Sequence, residues 1–189
     1  DDLDLAILCS EVHCKAAGVF TTTQIKSAPV ILSQKHIAKG RAQAIVVNSG
    51  CANACTGGQG LADARGMANL TAAKLGISPE EVLVASTGII GVPLPMDKIK
   101  TGITKIKPTR GGGHDFCRAI MTTDTRPKEL AVQVDLKGTK FTIGGVAKGA
   151  GMIHPDLATF LCFLTTDARV EPGFLKSALQ QAADVSFNM

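Results

Sequence analysis

Residues 158–168, Ala-Thr-Phe-Leu-Cys-Phe-Leu-Thr-Thr-Asp-Ala, are too apolar for a surface loop, yet they follow directly on the Gly- and Pro-bearing stretch KGAGMIHPDL at 148–157. A short continuous apolar run bounded by chain breakers reads as a strand buried on both faces. Such a strand needs material packed above and below it, which restricts the chain to layered architectures. The other local signals agree. AQAIVVNS (42–49) is a β-branched run suited to a second buried strand, and EVLVAST (81–87) is a third.

Helical spacing appears between these runs. Leu61, Ala64, Ala68, Ala72 and Leu75 recur along one face from Gly60, and Gly76 stands where a helix stops. PMDKIKTGITKI (95–106), HDFCRAIM (114–121) and Pro172 to Val185 also read as helices. Ser78-Pro79-Glu80-Glu81 predicts a short turn, and 129–147 a hairpin turning at Leu136-Lys137-Gly138. A further strand is expected over Leu3 to Cys9. The mixture implies an α+β or sandwich fold, sheet layers flanked by helices, without fixing strand order. The chain opens in a strand and closes after a helix, so both ends read as cuts through a longer protein.

Charge excludes some classes of function. Lys plus Arg number 20 against 16 Asp plus Glu, a net +4. The basic residues are scattered except between Lys98 and Arg110, where no aromatics interleave, which argues against nucleic acid as a partner. No run of 18 apolar residues exists to span a membrane, and the acidic start DDLDLAILCS is unlike a secretory leader. Cys9, Cys14, Cys51, Cys55, Cys117 and Cys162 lack zinc-finger spacing and are expected to be reduced, mostly buried thiols of a cytoplasmic protein. Trp and Tyr are absent, against an aromatic substrate cage.

Common catalytic and phosphate motifs fail in turn. Gly57-Gly58-Gln59-Gly60 precedes a helix but lacks dinucleotide-loop spacing, and GGVAKGAG (144–151) has Gly149 after Lys148 where a phosphate loop needs Ser or Thr. No GxSxG elbow occurs, and His13, His36, His114 and His154 form no metal pair. Thr159 remains, where a tight loop enters the apolar strand. The residues alone leave two readings of it open, a nucleophile and an ordinary loop-to-strand junction.

The order Lys148, glycine-rich loop, Met152-Ile153-His154-Pro155 and Ala158-Thr159 resembles the self-processing site of the ornithine acetyltransferase (glutamate N-acetyltransferase) family. AAGVFTTTQIKSAPV (16–30), VNSGCANACTG (47–57), ASTGIIGVPLPMDKI (85–99) and AIMTTDTRPKELAV (119–132) resemble its other signatures in register. The likeness therefore covers essentially the whole chain. Asp156 and Leu157 depart from the commoner Asn and Met, and Phe160 from the usual Met, leaving the Ala-Thr pair untouched.

The resemblance implies a layered αββα-like sandwich of the aminopeptidase/ornithine acetyltransferase type. It implies one nucleophile-bearing domain over 1–189, cleaved between Ala158 and Thr159 into an α part (1–158) and the start of a β chain (159–189), in an α2β2 assembly. Thr159 becomes the nucleophile, Thr87 and Gly88 the oxyanion donors, and Thr122 and Lys148 substrate contacts. The substrates are N-acetylornithine and glutamate. No metal or cofactor is implied, acetyl-CoA standing only as an extra donor in two-reaction members. After cleavage the α-amine of Thr159 is its natural base. Such amines titrate near about 7.7–8.0, against about 10.4 for lysine, so Lys148 serves better charged, on a carboxylate. A related self-processing amidase or aminopeptidase, passing the acyl group to water, and a non-catalytic binding domain are the competing readings.

Overall fold

In the computed structural model, which describes residues 3–151 and 160–188, two three-stranded sheets lie face to face. The first contains β1 (Leu5–Lys15), β2 (Arg41–Asn48) and β3 (Val82–Ser86). β1 runs antiparallel to β2, and β2 parallel to β3. The second is antiparallel and contains β4 (Lys128–Leu136), β5 (Thr139–Lys148) and β6 (Leu161–Thr166), with β5 central. The helices are α1 (Ala28–Ile37), α2 (Gly57–Leu75), α3 (Met96–Lys105), α4 (Gly113–Ala119) and α5 (Pro172–Asp184), with a 3₁₀ turn at Pro79–Glu81. The layered α+β expectation holds.

Period-two alternation in the first sheet separates two cores. Ile7, Ala44, Val46, Val82 and Val84 face α1, α2 and α3, meeting Leu32, Ala64, Met67, Ala68, Ile99 and Ile103. The opposite face presents Ala6, Leu8, Ile45, Val47 and Ala85 to α4 and to Val146, Leu161 and Phe163 of the second sheet. β2 is central and covered on both sides, which explains its unbroken Ala-Ile-Val-Val run. Burying each such valine contributes about 1.5–3 kcal/mol. Phe116 of α4 meets Phe163 edge-on at 5.5 Å, tying α4 to the second sheet.

Local stops follow residue chemistry. Gly76 takes φ +68, and its N–H and that of Ile77 return to the Ala72 carbonyl, ending α2 where the sequence placed the stop. Leu136 pairs with Thr139 across Lys137 and Gly138, at φ +51 and +86, the two-residue geometry with both central φ positive that favours hairpins. The exposed edge of β3 is closed by a helix. Ser33 of α1 accepts from the Val84 N–H (2.8 Å) and donates to the Val84 carbonyl (2.7 Å), while His36 Nδ1 lies 2.8 Å from the Val82 carbonyl oxygen.

Several expectations need correction. The strand at 158–168 is narrower and is not buried on both faces. β6 pairs with β5 at the sheet edge; Leu161 and Phe163 face the inner core, whereas Leu164 is 52% exposed. β1 continues six residues beyond Cys9 to Lys15, through an irregularity between Cys9 and Cys14. α2 starts at Gly57, three residues before the expected Gly60, and α1 went unread. All six cysteines are free thiols, but only Cys117 is fully buried, and Cys14 and Cys55 are exposed. Among the described residues no helix is long and apolar enough to cross a membrane.

One buried group in α2 sits badly. The Thr71 side chain is fully buried and, among the described residues, its hydroxyl finds no hydrogen-bond partner. Thr71→Val keeps the shape and removes the stranded hydroxyl, so it should stabilise the full-length protein by about 1 kcal/mol, read as a higher urea midpoint at unchanged slope.

Candidate active site

The parallel pair β2–β3 ends with Asn48 opposite Ser86. Open crevices beyond the carboxyl ends of parallel strands are where such sheets bind ligands. Here two loops leave side by side and are zipped together. The Asn48 side chain accepts from the Ser86 hydroxyl (2.6 Å) and donates to the Cys51 carbonyl (2.9 Å). The Thr87 N–H donates to the Asn48 carbonyl (3.0 Å) and the Ile89 N–H to that of Gly50 (3.0 Å). Gly88 sits between these bonds at φ +128, and a Cβ there would lie 2.3 Å from the Gly50 carbonyl carbon. Only glycine fits. Among the described residues the Gly88 N–H meets no acceptor, and Gly88 is exposed.

Lys148 reaches this corner from the other sheet. It ends β5, is 4% exposed, and its ammonium donates to Thr87 Oγ1 at 2.9 Å. An ammonium has no lone pair, so the Thr87 oxygen accepts and its own hydrogen must point elsewhere. Burial pushes Lys148 below the ordinary lysine range; Asp124 opposes that shift and Lys128 adds to it. Lys148 is thus less firmly charged than the sequence reading assumed.

Thr122 is exposed in the loop after α4, and its N–H donates to Asp124 Oδ2 at 3.3 Å. Asp124 also accepts from the Gly149 N–H (2.8 Å) and from Lys128 Nζ (2.5 Å), its side chain only 1% exposed. Burial alone would raise its carboxyl, but these donors outweigh it and hold it below the usual carboxylate range.

Thr87, Gly88 and Lys148 therefore come together, with Thr122 joined to them through Asp124. Ala158, Thr159 and His154 lie outside the described residues. Leu161, two positions after Thr159 in the chain, pairs directly with Lys148. Asn48 and Asp124 escaped the sequence reading although both lie inside segments quoted for the family likeness. Their only signal there was a polar residue set among small ones. Burial on Cys9, Cys117 and Cys162 raises those thiols, so none is poised as a competing nucleophile.

The sequence profile of the ArgJ family matches residues 1–189. The chain belongs to the ArgJ family. It is 57% identical over its whole length to the arginine biosynthesis bifunctional protein ArgJ of Dehalococcoides mccartyi, covering 47% of that protein. It is 54% identical to the Symbiobacterium thermophilum ArgJ, again over 47% of its length. The chain thus spans about half the length of the curated relatives it matches. Among solved structures, ArgJ of Bacillus halodurans superposes with TM-score 0.78 at 46% identity, covering 82% of this chain and 83% of that one. Ornithine acetyltransferase of Mycobacterium tuberculosis, complexed with ornithine, superposes with TM-score 0.74 at 43% identity, covering 82% and 84%.

The ArgJ fold of this chain should show the Asp124 linkage in acid. A carboxyl lowered by folding contributes stability above its unfolded pKa of about 3.9 and loses it as pH falls through the folded value. Asp124→Asn should therefore be less stable than the parent at neutral pH, with the gap closing below about pH 4 in urea titrations.

Proposed function

We propose that this chain is the nucleophile-bearing part of an acyltransferase that moves an acetyl group from N-acetylornithine to glutamate. Thr159 is its nucleophile, freed by self-cleavage after Ala158. The observation that carries the reading is the meeting of Lys148 with Thr87 beside the Leu161 pairing. Leu161, the partner of Lys148, stands two residues after Thr159 in the chain, which is what links the proposed nucleophile to the proposed oxyanion donors. The ornithine complex of the 43% identical relative and the bifunctional arginine-biosynthesis names of the others support the substrate class.

In the cleavage step the Thr159 hydroxyl attacks the Ala158 carbonyl, the peptide bond breaks to an ester, and water releases it. The new α-amine then removes the hydroxyl proton as Thr159 attacks the acetyl carbonyl of N-acetylornithine. Negative charge gathers on that oxygen, where the Thr87 hydroxyl hydrogen and the Gly88 N–H receive it. The amide C–N bond breaks, the proton passes to the leaving nitrogen, and ornithine departs from an acetyl-threonine ester. The glutamate amine attacks that ester, and the proton returns to Thr159.

One ammonium hydrogen of Lys148 is spent on Thr87, and two more can hold the α-carboxylate that both substrates share. Thr122 is a second substrate contact. One amide is broken and a similar one made, so the exchange needs no external energy source. Acetyl-CoA as a second donor fits the bifunctional names. A cytoplasmic α2β2 assembly belongs to the same reading and rests on the family resemblance.

Supplying donor alone to the full-length protein should add one acetyl group to the β chain by intact mass, and steady-state double-reciprocal plots should be parallel. Thr159→Ala should remain a single uncut chain. Intersecting lines with an unmodified β chain would contradict the mechanism; rapid hydrolysis of donor without glutamate would instead mark an amidase.

A further inference from the structure

We propose that Asp124 is a positioning residue of this site, its buried carboxylate holding the backbone at Gly149 so that Lys148 meets the Thr87 hydroxyl. The inference rests on the acyl-transfer reading and deepens it. Three donors from three parts of the chain converge on this one side chain. The Thr122 N–H comes from its own loop, Lys128 from the first residue of β4, and the Gly149 N–H from the residue just after β5. The last fixes the backbone next to Lys148, whose ammonium must cross to the other sheet to reach Thr87.

A carboxylate with 1% exposure is costly unless its oxygens are satisfied, and here each has a donor. The arrangement also balances charge. Lys148 is buried against a neutral hydroxyl; Asp124 is the anion that favours its charged form, and Lys128 is the cation that disfavours it. Among the described residues Asp124 bonds Thr122, Lys128 and Gly149, and not the proposed oxyanion donors Thr87 and Gly88. It acts through Lys148, and removing it should misorient the Thr87 hydrogen while leaving Thr87 in place.

The test uses the full-length processed enzyme, measuring kcat and KM for acetyl exchange across pH. Asp124→Asn, Asp124→Glu and Lys128→Met are each placed in the parent and in a Lys148→Met background. Asp124→Asn should lower kcat about tenfold or more, and kcat/KM by at least as much, because Lys148 also holds the substrate carboxylate. In the Lys148→Met background the same change should cost less than about twofold, because the two residues act as a unit. Asp124→Glu should recover part of the lost kcat.

The alkaline limb of the rate profile should move to lower pH in Asp124→Asn and to higher pH in Lys128→Met. Equal losses in both backgrounds, or an unmoved limb in Asp124→Asn, would overturn the proposal. If Asp124→Asn does not fold, the exposed Lys128→Met decides, an upward limb supporting the proposal and an unmoved or downward one overturning it. If the parent shows no acetyl exchange, the function reading fails separately. Carbon-13 titration of the Lys148 Cε, assigned by its loss in Lys148→Met, then reads the same opposed shifts without activity.

Discussion

The hydrogen bond from the Lys148 ammonium to the Thr87 hydroxyl joins the last residue of one sheet's central strand to the first residue beyond the other sheet's edge strand. Apolar packing holds the sheets together elsewhere, through Val47, Phe116, Val146, Leu161 and Phe163, and has no direction of its own. The polar bond has direction. It consumes a lone pair of the Thr87 oxygen and so decides where that hydroxyl can donate. The ends of β2 and β3 enforce the position, because Asn48, Ser86 and the Gly50 carbonyl leave the Thr87-Gly88 turn no alternative course.

Burying an ammonium there has consequences for the neighbourhood. Lys148 is nearly cut off from solvent, so burial lowers its pKa first, and the nearby charges then adjust it. Asp124 supplies the compensating anion and stays ionised because three donors hold it. Lys128, half open to solvent, offsets part of that anion. The acyl-transfer site proposed for this chain would benefit from this arrangement, since an ester intermediate survives best where water is scarce and fixed donors replace it.

Sequence reading succeeded where the signal was local. Gly76 after a periodic helix, Lys137-Gly138 between alternating strands, and the Ala-Ile-Val-Val run of β2 each carry their conformation in adjacent residues. It failed where tertiary contact decides. α1 hides its period because Val30, Ile31 and Leu32 are contiguous, with Leu32 buried and Ile31 47% exposed, and its reason for existing is a β3 edge fifty residues away. The apolar run at β6 suggested cover on both sides, but the outer face of the second sheet is uncovered there, leaving Leu164 open in the same row as Leu130. At the candidate site, Thr87, Gly88, Thr122 and Lys148 are singled out only through likeness to a family. Asp124 and Asn48 are not, because a carboxylate or amide becomes informative only when its distant donors are known.

The central claim is that the Thr87 hydroxyl is held as a donor to the reacting oxygen. Comparing Thr87→Val with Thr87→Ser in the full-length enzyme tests it most directly, once circular dichroism shows both folded. Valine keeps the shape without the hydroxyl, so kcat should fall by about 10²–10³, while serine, which keeps the hydroxyl, should stay within about tenfold of the parent. A Thr87→Val enzyme with parental kcat would contradict the account.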